Sequence, residues 1–449
     1  MIESIAIYNY KSIRELTLNF TYAEGKAPNG WQESAWLPFV GEPKTGRYVP
    51  ILAIYGANAS GKSNVIDALN TLQVVIRKGI DRQYHPNRLI PECQNAPIRF
   101  IIRINLAGRR FVYELSYDNI HILREWLIEE KTGGNHVLFD IEEGKLLKEG
   151  IGNEAYPIAK LSTIFNVECL DAQGNQVKTF MHKLFKEYAG LSADLNAVHI
   201  DVINKSVVLD GNDILISKVI DTIALNTGSE SVQPAFDEIV TYMKKFDIHI
   251  ENMSLERRRI PQSSLNIKNG VGPQFLQDGG IKMTNAVIIR NTLDNENVTI
   301  EKITSYHLRT DGNAEPFNFY SEESQGTKLL AGILGIILDA LKNGRRLFID
   351  ELDRSLHPLL LVQIVRMFKS KKLNTKSAQL VFTLHETTLL EDPLLRLSEV
   401  GILNNNLYTG TTLARLTDYH KVDKSVRNVL NFRKRYLEGI YAGIPEPIL

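Results

Sequence analysis

The sequence contains little cysteine, no excess charge of either sign and no long apolar segment. Cys93 and Cys169 are the only cysteines in 449 residues, too few for a disulfide framework and without metal-binding spacing. The 52 Lys and Arg balance the 52 Asp and Glu, which argues against a uniformly basic nucleic-acid-binding surface. The longest apolar run, residues 329–338, ends at Asp339. It falls short of the roughly 20 residues that cross a bilayer.

These absences leave a globular protein of the cell interior. Hydrophobic residues make up 43 % of the chain, a proportion typical of globular proteins. The first residues, MIESIAIYNYKSI, show no charged start followed by an apolar region, so no secretory leader is expected. We therefore expect a soluble, cytoplasmic protein that does not contact a membrane. The length predicts two or three domains, or one domain with large insertions.

Apolar periodicity predicts an α/β core and a helical middle section. Residues 1–20 alternate as a hairpin that turns near Lys11 and Ser12, and residues 97–130 alternate as an antiparallel meander on a second sheet. Helical patterns lie at 62–78, 178–188, 213–226, 231–246, 327–342 and 358–369, and short apolar strands lie at 49–55, 346–350 and 379–384. This order predicts one α/β core that is split by an inserted, mainly helical region.

A phosphate-binding loop follows the first buried strand. The pattern G-x-x-x-x-G-K-S stands between an apolar strand and a helical pattern, the context that a P-loop needs. Its residues and the one that follows are Gly56, Ala57, Asn58, Ala59, Ser60, Gly61, Lys62, Ser63 and Asn64. In such a loop, backbone N–H groups and the helix N-terminus surround phosphates, Lys62 reaches the β- and γ-phosphates, and Ser63 coordinates Mg²⁺. ATP and Mg²⁺ are therefore the expected cofactors, although a Gly-rich turn can match by chance.

An acidic pair ends a second apolar strand. Residues 347–349 lead into Asp350 and Glu351. Asp350 is expected to hold Mg²⁺ through water, as a Walker B aspartate does, and Glu351 to polarise the attacking water. The pair could instead stabilise a helix N-terminus by its negative charge. Its occurrence together with a P-loop favours the catalytic interpretation.

A third motif precedes a long helical pattern. In residues 321–328, SEESQGTK, Ser324 is suited to cap the helix, with Thr327 in its first turn. The segment also has the composition of an ABC signature, in which Ser324, Gln325, Gly326 and the helix end face the γ-phosphate held by another protomer. The two interpretations are compatible, because one helix end can be both capped and an anion site.

A histidine closes the next apolar strand. A lone strand-end histidine usually hydrogen-bonds to the backbone, but His385 follows Asp350 on the next predicted strand. ABC ATPases carry a histidine that senses the γ-phosphate at this place, so His385 is a candidate catalytic residue. Asp353 is the candidate D-loop residue at a dimer seam.

The motifs GANASGKSN, EESQGTKLL, LFIDELDRSLHPLL and QLVFTLHETTLL, in this order, resemble bacterial AAA-type ATPases built on an ABC/SMC-like head. That family includes relatives of OLD and RecF. The resemblance extends to the "ATP/GTP phosphatase" ATPases of phage-defence loci, such as RloA-like proteins and the ATPase of PARIS systems. Residues 9–13 resemble their N-F-x-S-I start, which implies that Lys11 lies near the nucleotide. Residues 436–445 resemble their Y-L-x-G-R-Y-G-A-I-P ending.

This resemblance implies an ABC-ATPase head, with a P-loop core sheet and an antiparallel β-subdomain, split by a mainly helical insertion. The head would comprise residues 1–149 and 251–400, with a C-terminal tail at 401–449. The insertion, 150–250, would supply partner or dimer contacts. The head would hydrolyse ATP as a homodimer or a higher homo-oligomer.

The chain departs from the family pattern at two places. The usual T-H-D at the switch is Leu384-His385-Glu386 here, although Glu386 can still accept a hydrogen bond. The usual D-Q-I that follows is absent, since residues 399–406 read EVGILNNN. Gln94 is a candidate Q-loop residue, but an ordinary exposed loop is the favoured interpretation.

Two functions fit these motifs. One is a sensor ATPase of an anti-phage, abortive-infection system that controls a separate toxic effector, such as a nuclease. The other is a DNA-repair or DNA-clamp ATPase of the RecF/SMC type with a nuclease partner. No D-x-D or H-N-H pattern follows His385, so no nuclease site is expected there. The basic clusters at 257–259, 369–372 and 433–435 fit solvated faces, with nucleic-acid contact as the alternative.

Overall fold

The chain divides into two compact units. The computed structural model describes residues 1–23, 32–42, 46–151, 158–188, 190–209, 233–261, 274–275, 280–282, 288–291, 297–354, 356–391, 394–422 and 432–441. The first unit comprises Met1–Gly211, Leu341–Arg354 and Leu361–Leu449, and the second comprises Asn212–Ala340 and Ser355–Leu360. The second unit is thus inserted into the sequence of the first.

The described strands, in chain order, are β1 (Ile2–Tyr10), β2 (Ile13–Asn19), β3 (Val40–Glu42), β4 (Gly46–Tyr48), β5 (Ile51–Gly56), β6 (Ile98–Leu106), β7 (Arg109–Tyr117), β8 (Ile122–Glu130), β9 (His136–Glu142), β10 (Lys145–Glu149), β11 (Ser206–Leu209), β12 (Asn252–Pro261), β13 (Gln274–Phe275), β14 (Gly280–Lys282), β15 (Ile288–Asn291), β16 (Asn297–Leu308), β17 (Ala314–Asn318), β18 (Arg346–Ile349), β19 (Gln379–Thr383), β20 (Val400–Asn406) and β21 (Gly410–Arg415).

The described α-helices are α1 (Lys62–Lys78), α2 (Ile158–Glu168), α3 (Phe180–Glu187), α4 (Ala193–His199), α5 (Gln233–Lys245), α6 (Gln325–Asn343), α7 (Pro358–Lys369), α8 (Leu416–Val422) and α9 (Phe432–Leu437). Within the described ranges, none of these helices has the length and apolar character that crossing a bilayer requires. The predicted bounds of α1 and α7 are confirmed, and α5 and α6 differ from prediction by a few residues. The predicted helix at 213–226 lies outside the described residues.

A 13-stranded sheet is the framework of the first unit, in the order β10-β9-β8-β7-β6-β1-β2-β21-β20-β5-β19-β18-β11. The strands from β20 to β11 pair in parallel, whereas those on the other side of β20 pair antiparallel. The prediction that residues 97–130 form a second sheet is wrong. β6 hydrogen-bonds to β1, so the meander extends the same sheet.

The parallel strands place the predicted motifs at one edge. β5 is buried along its whole length, as expected of a parallel strand covered on both faces. Its neighbours are β20 on one side and β19 on the other, and β18 pairs with β19. Because the carboxyl ends of parallel strands share an edge, the segments that follow β5, β18 and β19 meet there.

Helices cover this sheet with apolar faces. Val65, Leu69, Leu72 and Ile76 repeat at helical spacing along α1, and all four are buried. α2, α3 and α4 contribute to the same apolar cluster, for example through Phe165, Phe180 and Leu195. The predicted insertion, 150–250, therefore does not coincide with the inserted unit, because its first helices belong to the first unit.

The second unit contains its own sheet. Its order is β12-β16-β15-β14-β13. β17 also pairs with β16, at Thr304–Leu308, beyond the part of β16 that pairs with β15. The side-chain amide of Gln233, at the start of α5, donates to the carbonyl of Met253 on β12 at 2.7 Å. Arg257 faces Glu301 across β12 and β16, and the two side chains form an ion pair at 2.9 Å. These short strands thus form one antiparallel sheet.

Candidate nucleotide-binding site

The predicted phosphate-binding residues form the loop between β5 and α1. Gly61 is the N-cap of α1, with a left-handed φ of 98°. Among the described residues no side-chain hydrogen bond caps this helix end, and its first turn contains no acidic residue. The first N–H groups of a helix have no intrahelical acceptor, and the helix dipole makes this end positive. The N-terminus of α1 is therefore suited to bind an anion.

Lys62 folds back over the same loop. Its ammonium group donates to the carbonyl oxygens of Gly56 at 2.7 Å and Ala57 at 3.0 Å. Burial lowers the pKa of Lys62, while the nearby carboxylates of Asp350, Asp353 and Glu351 oppose this change. The lysine therefore lies close to the acidic segment that follows β18.

A cavity of about 350 Å³ lies beside the loop. Residues 58–64 form one side of its lining, and Glu351 and His385 complete it. Three sequence predictions thus meet in one place: the P-loop, the water-polarising glutamate and the switch histidine. The Ser60 hydroxyl also lines this cavity, and within the described ranges it is buried without a hydrogen-bond partner.

A threonine that the sequence analysis did not identify joins the two acidic residues. The Thr383 hydroxyl, at the end of β19, donates to Oδ1 of Asp350 and accepts from the backbone N–H of Glu351 at 2.8 Å. Asp350 is 8 % exposed and Thr383 is fully buried. Glu351 has a left-handed φ of 49°, a conformation that is costly for a residue other than glycine and that clusters at functional sites. The sequence did offer one signal for Thr383: it is a polar residue at the end of the apolar strand QLVFT.

Asp353 holds the segment that contains His385. Its Oδ2 accepts from the backbone N–H groups of His385 and Glu386, both at 2.7 Å. Glu386 in turn accepts from the N–H and the hydroxyl of Thr388 at 2.9 and 2.7 Å, and these hydrogen bonds lower its pKa. Glutamate can therefore serve as the acceptor that the T-H-D pattern supplies with aspartate. The location of Asp353 at a dimer seam stays a prediction.

The hairpin of β20 and β21 supports the phosphate loop from behind. The Thr411 hydroxyl donates to the carbonyl of Ser60 at 3.0 Å and lies 2.8 Å from the Ser12 hydroxyl. Ser12 also accepts from the side-chain amide of Asn64 at 2.7 Å. Within residues 401–449, predicted to be a tail, β20 and β21 thus contribute central strands and loop contacts, and the sequence of this hairpin has no motif that would reveal this.

The C-terminal helix α9 reaches the same loop. The ring of Tyr436 lies 5.8 Å from that of Tyr55, and the Tyr436 hydroxyl shares a hydrogen bond with the backbone of Gly56. Arg433 donates to Thr387, after the switch histidine, at 2.8 Å. The resemblance had pointed to this segment, and residues 442–445 of it lie outside the described residues.

Six predicted residues of the first unit are not in the cavity lining: Gly56, Ala57, Asp350, Asp353, Lys11 and Gln94. Lys11 has a left-handed backbone and forms a short ion pair with Asp67 of α1. Gln94 follows a short helical turn, and its amide donates to the carbonyl of Arg88 at 3.1 Å. Neither Lys11 nor Gln94 is among the residues that line the cavity.

The predicted signature lies in the second unit, at the start of α6. The Ser324 hydroxyl accepts from the backbone N–H of Thr327 at 3.1 Å and lies 2.8 Å from its hydroxyl. The capping interpretation is therefore confirmed. Ser324 and Gln325 are exposed, so this helix end is accessible within the chain.

Known proteins were compared with the whole chain. A family model described as "AAA domain, putative AbiEii toxin, Type IV TA system" matches residues 51–166 and 213–391. The chain belongs to this family. The matched ranges contain the P-loop, the signature, the acidic pair and the switch histidine. The chain is therefore an AAA-type ATPase that uses a nucleotide. No curated protein matches it.

Solved structures with a similar fold are distant. The "SMC head domain from Thermotoga maritima" is 14 % identical, covers 92 % of this chain and 98 % of its own, and gives a TM-score of 0.37. The "SmcHead bound to the C-winged helix domain of ScpA" is also 14 % identical, with 94 % and 99 % covered and a TM-score of 0.36. The α/β architecture of this AAA-type ATPase is therefore described from the strand order of the chain itself, without argument from these structures.

The residues of this ATPase fit a magnesium nucleotide. Mg²⁺ prefers oxygen ligands and shares phosphate oxygens with its substrate. The Ser63 hydroxyl and the Asp350 carboxylate would supply the protein's share, and Ser60 offers a buried donor with no partner in the described chain. Among the described residues, no group of three His, Cys, Asp or Glu side chains could hold a metal alone. When bound, the ion would neutralise phosphate charge.

Proposed function

We propose that this AAA-type ATPase works as a head-to-head dimer and regulates a separate toxic effector in an anti-phage, abortive-infection system of the cytoplasm. The observation that carries the catalytic part of the proposal is the cavity in which the P-loop, Glu351 and His385 meet. The regulatory part is supported by the family description, which names a toxin and a toxin–antitoxin system.

Residues in and beside the cavity have distinct roles in the proposed reaction. Loop N–H groups and Lys62 hold the phosphates, and Ser63 and Asp350 hold Mg²⁺. Glu351 accepts a proton as water attacks the γ-phosphate, and His385 hydrogen-bonds to that phosphate. The left-handed turn at Glu351 and the support of Asp353 behind His385 give both groups fixed backbones.

The signature acts in the partner protomer's site in this proposal. Ser324, Gln325 and Gly326 at the exposed start of α6 combine a hydroxyl with a positive helix end, which suits the γ-phosphate bound by another copy. ATP would then join two heads, and hydrolysis would separate them. Asp353 would lie at the seam.

The alternative is a DNA-clamp ATPase of the RecF/SMC type. A DNA-clamp ATPase would need exposed basic side chains that can contact the phosphates of DNA. Instead, Arg257 pairs with Glu301, Lys369 pairs with Glu399 inside the protein, and Arg433 pairs with Glu391. Because all three predicted basic clusters contain a cation engaged by a carboxylate, the observations favour effector control.

The first experiment tests the trans site with two serine caps. Ser324→Ala removes the α6 cap together with the proposed phosphate contact. Ser192→Ala removes only a cap, since Ser192 accepts from the Leu195 N–H at 3.2 Å at the start of α4. Each loses about 1 kcal/mol of stability. We expect Ser324→Ala alone to lose hydrolysis while still binding ATP. Equal ATPase rates in the two variants would refute the proposal that Ser324 acts in the partner protomer's site.

The second experiment tests the regulatory role. The wild-type protein and Glu351→Gln, which should keep ATP bound, are purified with the products of adjacent genes, with and without ATP. A nuclease or toxin that is retained in one nucleotide state and released in the other supports effector control. If double-stranded DNA raises the ATPase rate several-fold and no protein is retained, the clamp function is correct instead.

A further inference from the structure

We infer that Thr383 is a positioning residue for ATP hydrolysis, which orients the metal-binding Asp350 and the backbone of Glu351 through one hydroxyl group. This inference rests on the proposed roles of those two acidic residues. It concerns how the strand next to the P-loop strand sets the geometry of the acidic pair.

The first observation is that this hydroxyl makes two hydrogen bonds, one as donor and one as acceptor. Thr383 Oγ1 donates its one proton to Oδ1 of Asp350 at 2.5 Å and accepts from the Glu351 N–H at 2.8 Å. A hydroxyl offers a single donor, so the direction of both bonds is fixed. Because the Thr383 hydroxyl donates to Oδ1 of Asp350, Oδ2 would be the oxygen available to hold a metal-bound water.

The second observation is the burial of Thr383 and Asp350. Thr383 is fully buried and Asp350 is 8 % exposed. A buried carboxylate that loses a donor has no water to replace it, and a hydrogen bond to a charged group is stronger than a neutral one. The Asp350 carboxylate would rotate to find another partner, and the orientation needed for Mg²⁺ would be lost.

The third observation is the backbone of Glu351. Its φ of 49° places the N–H toward β19 and the side chain toward the cavity that it lines. A left-handed residue of this kind is retained only where its surroundings hold it. The N–H bond to Thr383 is such a restraint, and the adjacent Leu352 N–H donates to the Thr383 carbonyl at 3.1 Å. Thr383 thus holds the turn from both its side chain and its backbone.

Two pairs of variants isolate the hydroxyl. Thr383→Val replaces it by a methyl of similar size, and Thr383→Ser keeps it. Thr383→Ser and Thr383→Ala then differ by the hydroxyl alone, which provides a second comparison if the valine variant does not fold. Thr179→Val is the matched control, because the buried Thr179 hydroxyl donates to the Ile76 carbonyl at 2.7 Å and does not line the cavity.

The measurements are kcat, the Mg²⁺ concentration for half-maximal rate, and the affinity for a fluorescent ATP analogue in EDTA. Removing the hydroxyl should lower kcat by about 10- to 100-fold, as expected for a lost hydrogen bond to a charged group. It should also raise the half-saturating Mg²⁺ concentration, while affinity in EDTA stays within about twofold. Thr383→Ser should recover most of the rate.

Two results would overturn the inference. One is a hydroxyl-lacking variant with wild-type kcat and Mg²⁺ dependence. The other is a Thr383→Ser rate as low as that of Thr383→Ala, which would assign the effect to packing. Glu351→Gln, measured alongside, separates these failures from failure of the proposed site: if it too hydrolyses ATP at the wild-type rate, the catalytic assignment itself is wrong.

Discussion

Gly61→Ala tests whether the phosphate loop and the hairpin of β20 and β21 form one mechanical unit. A Cβ at position 61 would lie 2.3 Å from the Thr411 hydroxyl oxygen and 2.8 Å from that of Ser12. Both distances are far below van der Waals contact, so a neighbour must move. Both neighbours hydrogen-bond to the loop or to α1, so any shift displaces the groups that surround the phosphates.

The magnitude follows from two costs. A left-handed conformation costs an alanine about 1–2 kcal/mol relative to glycine, and overpacking a filled site costs about 1–3 kcal/mol more. We therefore expect Gly61→Ala to lower the free energy of unfolding by about 2–5 kcal/mol and nucleotide affinity by at least about tenfold. Gly174→Ala is the control, since Gly174 has a similar φ of 84° with no atom within 4 Å of its added Cβ. Gly174→Ala should lose only the stability that the left-handed conformation costs an alanine.

Urea denaturation and binding of a fluorescent ATP analogue measure the two effects. Adding Thr411→Ala to Gly61→Ala removes the closer contact and should restore part of the lost affinity, which a double-mutant cycle would report as coupling. If Gly61→Ala matches Gly174→Ala in stability and the wild type in affinity, the hairpin does not constrain the loop.

Three further predictions concern charged residues. Lys62→Ala should abolish nucleotide binding or hydrolysis, whereas Lys78→Ala, at the other end of α1, should leave ATP binding unchanged in the same fluorescence titration. Asp353→Asn keeps an acceptor for the two N–H groups of the switch segment and should retain much more ATPase rate than Asp353→Ala. Burial raises the pKa of Glu125 to about 7, so its stabilising contribution is complete below its ordinary pKa and is lost as the pH rises through 7. In urea titrations between about pH 5 and 8, Glu125→Gln should therefore show a smaller fall in unfolding free energy than the wild type.

The motif-bearing elements could be predicted because their signals are local. β5, α1, β18, α7 and β19 each combine a short apolar run or a 3.6-residue period with a motif at one end. Buried parallel strands read as continuous apolar runs, so their identity does not depend on their partners. The family match covers the same segments.

Strand partners and support contacts could not be predicted in this way. The meander beginning at β6 joins the core sheet through β1. β21 links β20 to β2, and its pairing with β2 is a single pair, Ile13 with Gly410. An alternating strand has the same pattern whichever edge it adds to, so the sequence could not distinguish one sheet from two. The predicted bounds 150–250 differ from the bounds of the second unit for a related reason, because an amphipathic helix does not reveal which sheet it covers.

The residues missed at the site share a chemical reason. Ser12, Thr383 and Thr411 are small hydroxyl residues at strand ends or turns, where such residues are common in any protein. Their importance comes from what they touch across the fold: a carboxylate, a loop carbonyl and an amide. No spacing rule connects position 12 with position 411.

The balance of charge at the site also explains the neutral composition. Asp350, Glu351 and Asp353 surround a single lysine, so the side chains alone would repel a nucleotide. Besides Lys62, attraction must come from Mg²⁺, from backbone N–H groups and from the end of α1, none of which adds to the formal charge of the chain. A site of this kind needs backbone segments that pack closely around the phosphates, and it needs few cationic side chains. At Gly56, for example, an added Cβ would lie 2.9 Å from the Leu403 carbonyl of β20. Binding strength in this ATPase should therefore depend on how the hairpin and the loop pack, more than on its count of basic residues.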